Sequence, residues 1–112
     1  MPDLETTRKI AMSLPDTVEQ DHFGIPSFRL NNRIFSTLWV HDNKMSVKLP
    51  LIEQSVFSSI GKDAVYPVPN KYGGMGYTLF ELEKVSPELL ADALKVAYQA
   101  VIEKTTKKKK RT

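Results

Sequence analysis

Between Ser27 and Lys48 the chain places Ser27, Arg29, Phe35, Thr37, Trp39, His41, Lys44, Ser46 and Lys48 at spacings that bring them to one face of a folded-back ribbon. Cations neutralise phosphates, ring faces stack on bases, and hydroxyls give positioning hydrogen bonds. The chemistry this row suits is the capture of an anion or a nucleic acid. An ordinary solvent-facing sheet surface carries the same residue types, and cross-strand aromatics stabilise its pairing.

Other residues offer less. His22 would need a partner to act as a general base, and Asp21 and Glu19 are near it only in sequence, so a structural histidine is expected. With His41 it makes two histidines, not at zinc-ligand spacing. There is no cysteine, which excludes disulfides, thiolate catalysis and zinc–thiolate sites. Gly73-Gly74-Met75-Gly76 lacks the Gly-Lys-Ser/Thr of a phosphate loop and precedes a strand, so a flexible hairpin or wing tip is expected, with Lys71 and Tyr72 as its contacts. A second grouping, His22, Arg29, Lys48 and Tyr77, would form a pocket for a small molecule or anion. A third reading makes Phe35 and Trp39 an apolar patch for a protein partner. No set forms an identifiable active site, and neither enzymatic activity nor a metal or cofactor is expected.

The elements that must position these residues read as α+β. Residues 3–14 form a first helix, capped by Asp3 and stopped at Leu14-Pro15. Residues 17–23 are weakly extended. Ser27–Leu30, Arg33–His41 and Lys44–Leu49 then form a meander. A two-residue turn at Asp42-Asn43 pairs Trp39 with Ser46 and Thr37 with Lys48, with Leu38, Val40, Met45 and Val47 on the core side. A three-residue loop at Asn31-Asn32-Arg33 keeps Phe28, Leu30 and Ile34 inside and Arg29 and Phe35 outside, because burying an unpaired arginine is far worse than a bulge.

Leu51–Ile60 is a second helix with Ile52, Val56 and Ile60 on one stripe and Phe57 beside it. Short strands over 64–68 and 77–82 precede a long helix begun by Ser86-Pro87-Glu88, with Leu90, Leu94, Ala97 and Val101 as its buried stripe. About five antiparallel strands with helices on one face are expected.

The isoelectric point of about 9.2 belongs to the tail. Lys104, Lys107 to Lys110 and Arg111 supply six of the sixteen basic residues; the remaining ten face thirteen acids, so the body carries a formal charge of −3. Residues 1–103 therefore read as one domain and 104–112 as a disordered basic tail. No apolar run approaches membrane-spanning length, and a cytoplasmic protein without membrane contact is expected.

The His22-Phe23-Gly24 and Pro26-Ser27-Phe28-Arg29 block resembles the MmcQ/YjbR family. So do the hairpin into Ile34-Phe35, the Met45–Leu49 strand, Gly76-Tyr77 and Ser86-Pro87-Glu88. The resemblance covers nearly the whole chain, although Tyr77 stands where a tryptophan is common. It implies a small α+β fold and a DNA-binding role on a double-wing architecture. The wings would be the Asp42-Asn43 ribbon and the Tyr72–Gly76 loop. Binding would be mainly phosphate-directed, through Arg29, Trp39, Lys44, Ser46, Lys48, Lys71 and Tyr72.

Overall fold

Short-range chemistry sets the helix ends. In a computed structural model, which describes residues 3–110 and side chains as far as Lys104, Asp3 caps α1 (Leu4–Met12) by accepting a hydrogen bond from Thr6 N at 2.7 Å. That bond holds the Asp3 carboxyl below its usual pKa. Ser86 does the same for α3 (Pro87–Lys110), accepting from Leu89 N at 3.1 Å. Of the 104–112 stretch expected as a disordered tail, the backbone of 104–110 continues α3, while the side chains of 105–110 and all of 111–112 lie outside the described residues.

The strands are β1 (Val18–His22), β2 (Ile25–Leu30), β3 (Arg33–Trp39), β4 (Lys44–Lys48), β5 (Val65–Pro67) and β6 (Tyr77–Glu81), with α2 (Leu51–Gly61) between β4 and β5. They form one antiparallel sheet in the order β1-β2-β3-β4-β6-β5. The strand beyond the expected five is β1, which pairs Gln20 with Ser27 and His22 with Ile25 along the edge.

Both turns of the meander correct the expected register. Asn31 and Asn32 form a two-residue turn, both at positive φ (54° and 65°), and Leu30 pairs with Arg33. The extra residue sits farther in: Arg29 pairs with Ile34 but Phe28 with Ser36, so Phe35 is a bulge. The bulge keeps Arg29 out of the core, as the three-residue loop was meant to, but it exchanges two neighbours. Phe35 is buried in the core, and Ile34 joins the outer face.

The second turn is longer than two residues. Val40–Asp42 form a helical turn with Asn43 left-handed, so Trp39 pairs with Lys44 and Thr37 with Ser46. This shifts the register by two, which preserves every face because side chains alternate with period two. Val40 is the exception, lying exposed in the turn instead of in the core.

One face of the sheet carries Phe28, Leu38, Met45, Val47 and Phe80, all sealed against Leu90, Ala93, Leu94 and Ala97 of α3, Phe57 of α2 and Ala11 of α1. Phe35 meets Tyr98 edge-on, and the Tyr98 hydroxyl donates to Pro15 O at 2.8 Å, tying α3 to the end of α1.

Helix α2 turns the other way from its own periodicity. Ile52, Val56 and Ile60 are exposed, while Gln54 and Phe57 are buried. Gln54 explains the rotation: its Nε2 reaches Gly73 O (2.9 Å), Thr78 Oγ1 (3.1 Å) and Tyr77 O (3.2 Å), and so satisfies buried backbone of the glycine loop. Gly73 O and Tyr77 O also accept from Gly76 N and Val68 N, so the group at stake is the buried Gln54 amide, which would cost about 1–3 kcal/mol if left unpaired.

Candidate functional site

The sheet face away from the helices holds the outward-pointing row. Reading the register across it, Gln20 and His22 of β1 lie beside Ser27 and Ile25 of β2. Thr37 and Trp39 of β3 follow, then Ser46 and Lys44 of β4, then Leu79 and Glu81 of β6. Tyr66 of β5 completes the row opposite Leu79. This face is not simply wet. Ser27, Ser46 and Leu79 are buried on it, because long neighbours fold over them.

Its hydrogen bonds fix the rings. Trp39 Nε1 donates to Thr37 Oγ1 at 2.9 Å, and Thr37 Oγ1 is in turn bonded to Ser46 Oγ. The indole is thereby locked over the sheet with its one donor spent, leaving its faces for contact. Ser27 Oγ donates to Gln20 O at 2.8 Å and accepts from Arg29 Nε at 3.0 Å. Tyr66 donates from its hydroxyl to Glu81 Oε2 at 2.7 Å.

Three lysines lie on tyrosine rings along this face. Lys44 Nζ is 5.8 Å from the Tyr66 centroid, Lys48 Nζ 5.6 Å from Tyr77, and Lys71 Nζ 5.5 Å from Tyr72. These are cation–π distances. Hydrogen bonding to the Tyr66 phenol outweighs desolvation and, with the charges of Glu81 and Asp42 added, raises the Lys44 pKa above the ordinary lysine value.

Between the lysines runs a groove of about 470 Å³. Its rings are His22, Trp39, Tyr72 and Tyr77; Ile25, Ile34 and Val68 supply aliphatic wall; Thr37, Ser46 and Asn70 are its polar members. Tyr72 and Tyr77 meet edge-on at 6.0 Å. The Tyr72–Gly76 loop that forms one rim is anchored rather than loosely projecting. A Cβ on Gly73 would lie 2.1 Å from Val68 O, and one on Gly76 2.1 Å from Leu49 O. Only residues without a side chain allow that approach.

Of the residues expected to act, Trp39, Ser46 and Tyr72 line the groove, while Lys44, Lys48 and Lys71 stand on rings of the same face. Of the grouping His22, Arg29, Lys48 and Tyr77, the groove brings together His22 and Tyr77. Arg29 is held by Ser27 near the β1 edge, and Lys48 leans over Tyr77 and also borders a second cavity of about 340 Å³ with Arg33 and Lys104. His41 is exposed in the turn after β3, off the row. Phe35, expected to share an apolar patch with Trp39, is on the other side of the sheet.

Sequence reasoning missed Tyr66, Ile25, Ile34 and Asn70. Tyr66 sits between Val65 and Pro67, and only the β5–β6 pairing reveals which face it serves. Among the described residues no group of three or more His, Asp or Glu side chains could hold a metal ion, and no helix is long and apolar enough to cross a membrane.

A six-stranded antiparallel sheet, with three helices on one face and an aromatic groove between lysines on the other, defines a small α+β protein. The chain belongs to the YjbR family, whose model matches residues 12–100, from the end of α1 through most of α3. Its fold is similar to the crystal structure of the Deinococcus radiodurans protein DR2400, a DUF419-domain protein, with a TM-score of 0.78 at 19% identity over 94% of this chain and 82% of that one. No curated protein matches the chain.

Proposed function

We propose that this protein is a DNA-binding module that uses the helix-free face of its sheet, with phosphates held by Lys44, Lys48 and Lys71. The observation that carries this reading is the row of three lysine–tyrosine pairs around one aromatic groove, on a body whose formal charge without the basic tail is negative. Positive charge is local there, as a phosphate-directed surface requires. Among the residues whose side chains are described, no helix presents a basic face to a groove of the duplex, and sequence readout is not part of the proposal.

The test is fluorescence anisotropy of a labelled DNA across a salt series. The chain used has Lys107–Lys110 and Arg111 replaced by glutamine, so that the tail does not mask the body. Lys44→Ala, Lys48→Ala and Lys71→Ala together are expected to weaken binding and flatten the plot of log affinity against log salt by about 0.9 per lysine on duplex. An unchanged slope sinks the proposal.

A small-molecule reading draws on the groove volume of about 470 Å³, within the usual range of about 300–1,000 Å³ for ligand sites. Its recognition would come from ring faces, since Arg29 and Lys48 are not part of the lining.

A further inference from the structure

Phe23 is the least economical residue of the chain for folding. It is 95% exposed, it occupies a positive φ of 51° at the tip of the β1–β2 hairpin, and the one ring it meets among the described residues is His22, edge-on at 4.7 Å. Burial contributes nothing at such a position, and asparagine or glycine would adopt that backbone more readily. The fold gives no reason for a phenyl ring there.

The ring has a place in the groove's geometry. His22, beneath it, lines the groove that also holds Trp39, and the Tyr72–Tyr77 pair closes the other side. A line of rings thus crosses the face, from the Phe23 tip to the Tyr72–Tyr77 pair. Lysine ammoniums lie over Tyr66, Tyr72 and Tyr77, whereas none lies over Trp39 or Phe23 among the described residues. Lys44 is directly opposite Trp39 in register, yet its ammonium sits over Tyr66. The two uncapped rings are free to stack, and the capped ones carry charge beside them.

We infer that Trp39 and Phe23 are stacking platforms for unpaired bases, so that the DNA this face takes is single-stranded. The inference rests on the proposed function and names its substrate class. Bases inside a duplex have both faces covered by neighbours and offer none to a ring set in a groove; an unpaired base offers both. The polar floor points the same way. The Trp39 donor is spent on Thr37, and the Thr37 and Ser46 hydroxyls are bonded to each other, so Trp39 meets a base by its ring face alone. Sequence-tolerant binding follows, with the backbone tracked by Lys44, Lys48 and Lys71.

Trp39 is the sole tryptophan, which makes its emission a direct reporter of groove occupancy. The chain with Lys107–Lys110 and Arg111 replaced by glutamine is titrated with a thymidine oligomer, with a blunt duplex of equal length and with thymidine monophosphate, following Trp39 emission and the anisotropy of labelled DNA together. The oligomer is expected to quench Trp39 and to bind about tenfold more tightly than the duplex, which leaves the emission unchanged. Phe23→Asn is expected to weaken oligomer binding about tenfold, leave duplex binding alone, and raise Tm.

Equal, lysine-dependent binding of both DNA forms with unquenched Trp39 overturns the single-strand inference and leaves the proposed function standing. Quenching by the monophosphate as strong as by the oligomer overturns it in favour of a small-molecule site. Absence of binding to either DNA, or binding indifferent to Lys44→Ala/Lys48→Ala/Lys71→Ala, removes the proposed function and the inference together.

Discussion

The hairpin turns at Phe23-Gly24 and Asn31-Asn32 share a backbone and differ in what occupies it. Both pairs are left-handed, with φ of 51° and 88° in the first and 54° and 65° in the second. Asparagine tolerates that region because its short amide can bond locally, whereas a phenyl ring gains nothing from it. At Asn31-Asn32 the residue types answer the turn. At Phe23 they oppose it, and no burial compensates. The difference teaches where to look for function: a local rule broken without a packing return marks a residue that serves something outside the fold.

That comparison can be broken by substitution, with urea unfolding as the measurement. The upper bound is Gly76, at φ 105° with Leu49 O only 2.1 Å from where a Cβ would be. Gly76→Ala is expected to lose about 3 kcal/mol, because left-handed strain adds to a backbone overlap that cannot relax. A loss below about 1 kcal/mol would mean the loop yields.

Asn31→Phe puts the Phe23 situation into the other turn, since Asn31 is likewise the first loop residue at φ 54°, and should lose about 1 kcal/mol. If it were neutral, positive φ would carry no penalty for phenylalanine here and the contrast would collapse. Phe23→Asn should gain about 0.5 kcal/mol. A marked loss would show that the ring supports the hairpin after all.

The smallest effect concerns pH. Because the Lys44 pKa is raised, its ammonium persists on the alkaline side of the ordinary lysine value. The share of DNA affinity that Lys44→Ala removes should therefore stay level between about pH 7 and 9, and a decline of that share over the range would show that its ammonium is not held as the Tyr66 hydrogen bond implies.

Much of this arrangement was legible in the sequence where it depended on alternation. Thr37, Trp39, Lys44, Ser46 and Lys48 share the outer face as expected, although the turn between β3 and β4 is longer, because a two-residue slip preserves parity. A bulge breaks parity, and nothing in Ile34-Phe35-Ser36 announces one; Phe35 therefore exchanged places with Ile34. The stripe of α2 was legible as a stripe, but periodicity does not say which side of a helix the fold covers. Gln54, which no apolar pattern would select, decided it through the glycine loop. The groove depends on β5 and the 70–77 segment folding beside β4, which is a matter of strand order rather than local spacing.

The central claim, that DNA meets the helix-free face, is tested most directly by mapping amide and Trp39 indole shifts in the full chain as a DNA oligomer is added. Shifts gathered on β2, β3, β4, β6 and residues 70–77, with the Trp39 indole proton among them, are the predicted result. Shifts confined to residues 104–112, with the sheet unmoved, would contradict the account.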